Sequence, residues 1–161
     1  MIEFRIAGSA EIKPDYKSKG VMVFTHADIS HVLVIFRRGP ELPWMIIDST
    51  GDGVTEHPLD KFLETHKLIY DIDITKYVTR PCCAIAWLEG NFGKDYSEGQ
   101  YFGFVFDFLK GFVRDGESEL ICSELVPRFI DKWTTLTCFK GADFDFINPK
   151  EAIKTLMEAV A

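Results

Sequence analysis

The stretch ELICSELVPRFIDKW, residues 119 to 133, sets Cys122 between a short apolar run and the apolar spacing of an amphipathic helix. A cysteine in the first turn of a helix lies near backbone N–H groups that have no intrahelical acceptor and near the positive end of the helix dipole. Both favour thiolate over thiol. With a cation close by, such a site can bring a thiol pKa from about 8.5 into the ~3.5–7.5 range, which makes a reactive nucleophile at neutral pH. The competing reading is structural, because a cysteine between Ile121 and Leu125 is also a small buried hydrophobe. Pro127 has no N–H for the Ser123 carbonyl, so a bend or a distorted first turn is expected in this helix.

The cation has to come from elsewhere in the chain. Ile29-Ser30-His31-Val32 opens an apolar β-rich run with a histidine, which puts an imidazole at the end of a strand. Asp48 closes the next run, and an antiparallel return over the Arg38 to Leu42 loop brings it back to the end where His31 begins, as a carboxylate able to orient the ring. Ser49 and Asp52 lie close enough to replace Asp48 if the register differs. His57, before Pro58, reads as a surface turn residue, and His66 falls in a charged helix-end stretch. Cys82 and Cys83, beside Ala84 and Ile85, read as core packing. Glu124 opposes thiolate formation and is expected to turn from the sulfur toward a structural partner.

The elements that must position these groups read as a mixture. Val21 to Phe24, His31 to Phe36 and Trp44 to Ile47 are β-rich runs, the last two flanking the Arg-Arg-Gly-Pro turn. Gly51-Asp-Gly53 is a turn, Pro58 to Thr65 spaces its apolar residues as a short helix, and Leu68 to Ile74 alternates as a strand. Pro81 suits a first helical position, so a helix is expected over Cys82 to Leu88, ended by Gly90 and Gly93. Residues 100 to 113, QYFGFVFDFLKGFV, fit helix and strand templates alike and are read as helix. Asn148-Pro149-Lys150-Glu151 has an N-cap, a first-position proline and a third-position glutamate ahead of Ala152, Ile153, Leu156 and Val160.

With 161 residues, 47% of them hydrophobic, the chain is long enough for one core and too short for two ordinary domains, so residues 1–161 are expected to form a single domain. A net charge of −7 and no basic run longer than Arg37-Arg38 argue against a nucleic-acid partner and against an anionic bilayer. No run of about 18 apolar residues and no export-type start is present, so a soluble, cytoplasmic chain without membrane anchoring is expected. The cysteines at 82, 83, 122 and 138 form no CxxC pair and the histidines no HExxH, and no metal is expected.

The order Ser30-His31-Val32, then Gly93-Lys-Asp-Tyr96, then Ile121-Cys-Ser-Glu-Leu-Val126 resembles the circularly permuted papain-like amidases, relatives of NlpC-type cell-wall peptidases and of lecithin:retinol acyltransferase-like proteins. In that family the histidine strand precedes the cysteine helix. The resemblance runs over most of the chain, with Leu59 to Leu63, Tyr70 to Arg80 and Asn148-Pro149 as weaker points of likeness. It implies an α+β permuted papain-like (NlpC-type) fold, an antiparallel sheet packed against helices, with Cys122 as nucleophile, His31 as base and Asp48 as the orienting residue. The oxyanion would be held by the Cys122 N–H, with Tyr96 and Ser123 as further oxyanion or substrate contacts and no cofactor. The expected reaction is hydrolysis of an amide or peptide bond, with peptidoglycan as a candidate substrate, through an acyl-thioester. The alternatives are a lipid-directed acyl hydrolase or acyltransferase, and a catalytically silent binding or virion-associated module. Tyr96 also reads as a wall residue packed on the aromatic run.

Overall fold

The computed structural model describes residues 1–161 apart from 15, 25, 51, 52, 95–121, 145 and 146. Its frame is an antiparallel sheet of β1 (Glu3–Glu11), β2 (His31–Arg37), β3 (Met45–Thr50), β4 (Gly53–Pro58) and β5 (His66–Asp73). The strands lie side by side in the order β4-β3-β2-β1-β5. Five helices accompany them among the described residues: α1 (Tyr16–Phe24), α2 (Leu59–Phe62), α3 (Pro81–Glu89), α4 (Cys122–Trp133) and α5 (Pro149–Val160). The chain is therefore α+β.

Strand alternation sorts the core into two clusters. Phe4 and Ile6 of β1, Val32, Val34 and Phe36 of β2 and Ile47 of β3 face α3, α4 and α5, which contribute Leu88, Leu125, Phe129, Ile130, Ile153 and Leu156. Burying each of these large side chains stabilises by roughly 1.5–3 kcal/mol. Ala7, Leu33, Ile35 and Ile46 form the smaller cluster on the other face, closed by Phe62 of α2 and by Trp44.

The first strand, which no sequence signal announces, lies inside the sheet next to its β5 edge, paired to β2 on one side and β5 on the other. Its Ala7-Gly8-Ser9-Ala10 run has little β propensity of its own. Small residues are needed there because the layers close in. A Cβ on Gly8 would stand 2.9 Å from Ile29 Cδ1, 3.1 Å from Tyr70 Cδ2 and 3.2 Å from Ile153 Cγ1. The β1–β5 register shifts at this same point, between Gly8 and Ser9.

Several sequence readings need correction. Val21 to Phe24 is the last turn of α1, not a strand. A four-residue apolar run cannot separate the two by period, and the neighbouring signal decides. His26 adopts a left-handed φ of 49°, its N–H bonds back to the Val23 carbonyl at 3.3 Å and the Ala27 N–H to Met22 at 3.0 Å, a Schellman-type helix stop. β4 was read only as far as its turn. Cys82 and Cys83 are exposed, not core. Ala84, Ile85 and Leu88 form the buried stripe of α3, and at about 100° per residue the two cysteines fall on its outer side. His57 lies in β4, not in a turn, and His66 opens β5, stacked on Phe62 with 4.1 Å between ring centroids. The helix read over residues 100 to 113 lies outside the described residues.

Other local signals correspond closely. α3 starts on Pro81, and past its end Gly93 takes φ 75° as the chain folds onto β4, with Gly93 N–H to Val54 O at 3.2 Å and Val54 N–H to Lys94 O at 3.1 Å. α5 has the full capping box, Asn148 accepting from the Glu151 N–H and Glu151 from the Asn148 N–H. α4 runs from Cys122 to Trp133 through a buried Pro127. Its far end is tied down by Thr79 N–H to Trp133 O at 2.7 Å and Thr135 N–H to Tyr77 O at 2.9 Å.

Candidate active site

Antiparallel pairing of β2 and β3 matches Val34 with Ile47 and Phe36 with Met45. Continued toward the start of β2, that register sets Asp48 one step from His31 on the same side of the sheet. Nε2 of His31 and Oδ2 of Asp48 are 3.2 Å apart. The carboxylate is 2% exposed and the imidazole side chain 13%. Ser49, the alternative third residue, alternates to the opposite side, and Asp52 lies outside the described residues.

The first residue of α4 supplies the thiol. Leu125, Val126, Phe129 and Ile130 bury one stripe of this helix against the sheet, which presses its N-terminus onto the start of β2. The Cys122 sulfur is hydrogen-bonded to the His31 ring and accepts from the backbone N–H of Val32. That N–H is available because the β2–β3 ladder begins only at Val34. Burial alone would push the Cys122 thiol up. The His31 charge, the hydrogen bond from its ring and the Val32 N–H outweigh this and bring the thiol below the ordinary range. Burial would likewise pull His31 down, but the Cys122 thiolate and the Asp48 carboxylate raise it to about 10. Each group of the pair therefore favours the charged form of the other.

The structure brings His31, Asp48 and Cys122 together. Ser123 is buried in the first turn of α4 and its hydroxyl has no partner among the described residues. Tyr96 lies outside them. Glu124 turns from the sulfur to Arg128, whose Nε donates to its Oε1 at 2.7 Å. His26 is exposed at the end of α1, and Cys138 is held above the ordinary thiol range by burial.

Sequence reasoning missed three groups beside the triad. One is the Val32 N–H. Another is Ser9, fully buried directly across the β1–β2 ladder from His31, its hydroxyl without a partner among the described residues. The third is Thr55, paired with Asp48 across β3 and β4, its Oγ1 3.5 Å from Oδ1. The Gly-Asp-Gly sequence at 51–53 was the signal for Thr55, since the pairing of Thr50 with Gly53 sets 55 opposite 48.

Among the described residues, no three His, Cys, Asp or Glu side chains stand close enough to share a metal ion, and no helix is long and apolar enough to cross a membrane. Chemically, the arrangement offers a sulfur held in contact with an imidazole, at a helix start whose first N–H groups have no intrahelical acceptor. A comparison with protein-family models and a search of curated proteins each found no match to this chain.

Proposed function

We propose that this chain is a cysteine-dependent hydrolase of an amide or peptide bond, built as a single permuted papain-like (NlpC-type) domain over residues 1–161. The observation that carries the reading is the buried contact of Cys122, at the first turn of α4, with an imidazole that is itself held by Asp48. A structural cysteine has no use for a proton acceptor oriented by a carboxylate.

The Cys122 thiolate attacks the carbonyl carbon, forming a C–S bond and an oxyanion that the Cys122 N–H and the neighbouring first-turn N–H groups of α4 are placed to receive. As the tetrahedral species collapses, the C–N bond breaks and the His31 imidazolium passes its proton to the departing nitrogen. An acyl-thioester remains. Neutral His31 then takes a proton from water, whose oxygen attacks the thioester carbonyl; the C–S bond breaks, the acid leaves and thiolate and imidazolium are restored. Asp48 keeps the ring oriented throughout.

A peptide-like substrate accords with an acidic chain, of net charge −7, that has little affinity for an anionic lipid surface. The test is incubation of wild type and Cys122→Ala with peptidoglycan fragments and, in parallel, with acyl-ester micelles. Release of new amino groups by wild type alone is the expected result. Cysteine-dependent release of fatty acid with intact fragments would make the protein a lipid-directed acyl hydrolase, and no turnover in either arm, with an unlabelled Cys122, a silent binding module.

A further inference from the structure

Asp48 is 2% exposed, with Oδ2 facing His31 at 3.2 Å and Oδ1 facing the Thr55 hydroxyl at 3.5 Å. A carboxylate this deeply buried needs donors. Oγ1 of Thr55 also stands 2.8 Å from Nε2 of His57, two residues along the same face of β4. Thr55 has one hydroxyl proton and cannot serve both neighbours. Given to His57, the proton leaves oxygen lone pairs of Thr55 and Asp48 confronting each other. Given to Asp48, it leaves Thr55 accepting from the Nε2–H of His57, and every group in the row is satisfied. The desolvation of Asp48 selects the second arrangement.

We infer that Thr55 and His57 are positioning residues: the exposed imidazole of His57 turns the Thr55 hydroxyl onto Asp48, which fixes the carboxylate that holds His31 against Cys122. This relay rests on the thiolate–imidazolium reading of the site. The Thr55–Asp48 separation is long for an O–H···O bond, so the hydroxyl's direction, and with it the group that sets that direction, decides whether the contact is attractive. The other charged groups on the packed elements are occupied or belong to the site. Glu56 alternates to the other face of β4 and pairs with Arg38. On α2, Asp60 accepts from the Lys61 N–H, and the Lys61 ammonium pairs with Glu64. Cys122 of α4 borders His31 and Asp48, and His66 of β5 lies within their field.

The experiment is the pH dependence of iodoacetamide alkylation at Cys122 in the full chain, read by peptide mapping. In Thr55→Val the acidic limb is expected to move up by about one pH unit, because a carboxylate that loses a donor holds the His31 ring less firmly and so supports its cation less. Thr55→Ser should restore the wild-type profile. His57→Ala should move the limb the same way as Thr55→Val, while His57→Gln, which keeps an N–H donor, should overlay wild type. Equal shifts in Thr55→Val and Thr55→Ser, or no shift in Thr55→Val, overturn the relay and leave the site reading standing, since Cys122 still reacts. If Thr55→Val does not fold, the His57→Ala and His57→Gln pair reads the relay from its other end, and coincident profiles overturn it. A wild-type Cys122 that labels no faster at pH 6 than Cys82 and Cys83 overturns the relay and the site reading together.

Discussion

Replacing Cys122 by alanine removes a negative charge as well as a nucleophile, and His31 should register the loss. Burial keeps acting to lower the ring while the thiolate that raised it is gone, so the His31 pKa is expected to fall from about 10 in Cys122→Ala, and to fall also in Asp48→Asn. Histidine NMR titration measures both, and an unmoved His31 resonance in Cys122→Ala would show that the two groups do not share charge. On the proposed reading, the same pairing sets the pH range of turnover. The thiolate is present from its lowered pKa upward and the imidazolium persists up to the raised His31 value, so turnover should be flat across neutral pH and fall on either side. Access and activation compete in this molecule, since Cys82 and Cys83 are exposed and Cys122 is buried. Iodoacetamide at about pH 6 should nonetheless label Cys122 first, its lead shrinking as the pH rises into the range where ordinary thiols ionise. His31 and Cys122 were legible because each opens an element marked by its own sequence signal, and Asp48 because it follows the apolar run of β3, although that strand continues to Thr50. Thr55 and Ser9 were not, because a hydroxyl acquires meaning only from the strand paired beside it.

Helix caps and close approaches carry the predictions at the scale of elements. Asn148→Ala breaks the capping box of α5 and should cost about 0.5–2 kcal/mol in urea unfolding. Gly8→Ala forces a methyl group against Ile29, Tyr70 and Ile153 and should cost about 1–3 kcal/mol; a neutral result would mean that α5 rides higher on the sheet than the structure places it. The contrast between these two sites shows where sequence is readable. The cap of α5 is announced by four adjacent residues. The need for Gly8 is created by side chains from three other segments, and nothing within β1 itself reveals it. The exposed placement of Cys82 and Cys83 depends likewise on which side of α3 the sheet lies, since both faces of a short apolar helix look alike until a partner is known.

At the level of the whole molecule, α3, α4 and α5 share a single buried cluster with four of the sheet's five strands, Ile69 and Ile72 of β5 packing against it. Urea unfolding followed by far-UV circular dichroism and by tryptophan fluorescence should therefore give coincident single transitions, and two separated midpoints would divide the chain into independent units. The α+β class followed from the mixture of β-rich runs and capped helices, but the strand order did not, because β1, an interior strand, carries little β propensity of its own. Its place between β2 and β5 also bears on synthesis. β1 gains its first neighbour when β2 emerges, but its second edge stays open until β5, which begins more than fifty residues after β1 ends and at ~5–20 residues per second leaves that edge exposed for several seconds on the ribosome. His31 and Asp48 emerge within 17 residues of each other, while the thiol follows more than seventy residues after Asp48. A nascent chain that has made only the sheet would hold an imidazole–carboxylate pair with no thiol against it, and on the proposed reading the thiolate forms only when α4 docks beside them.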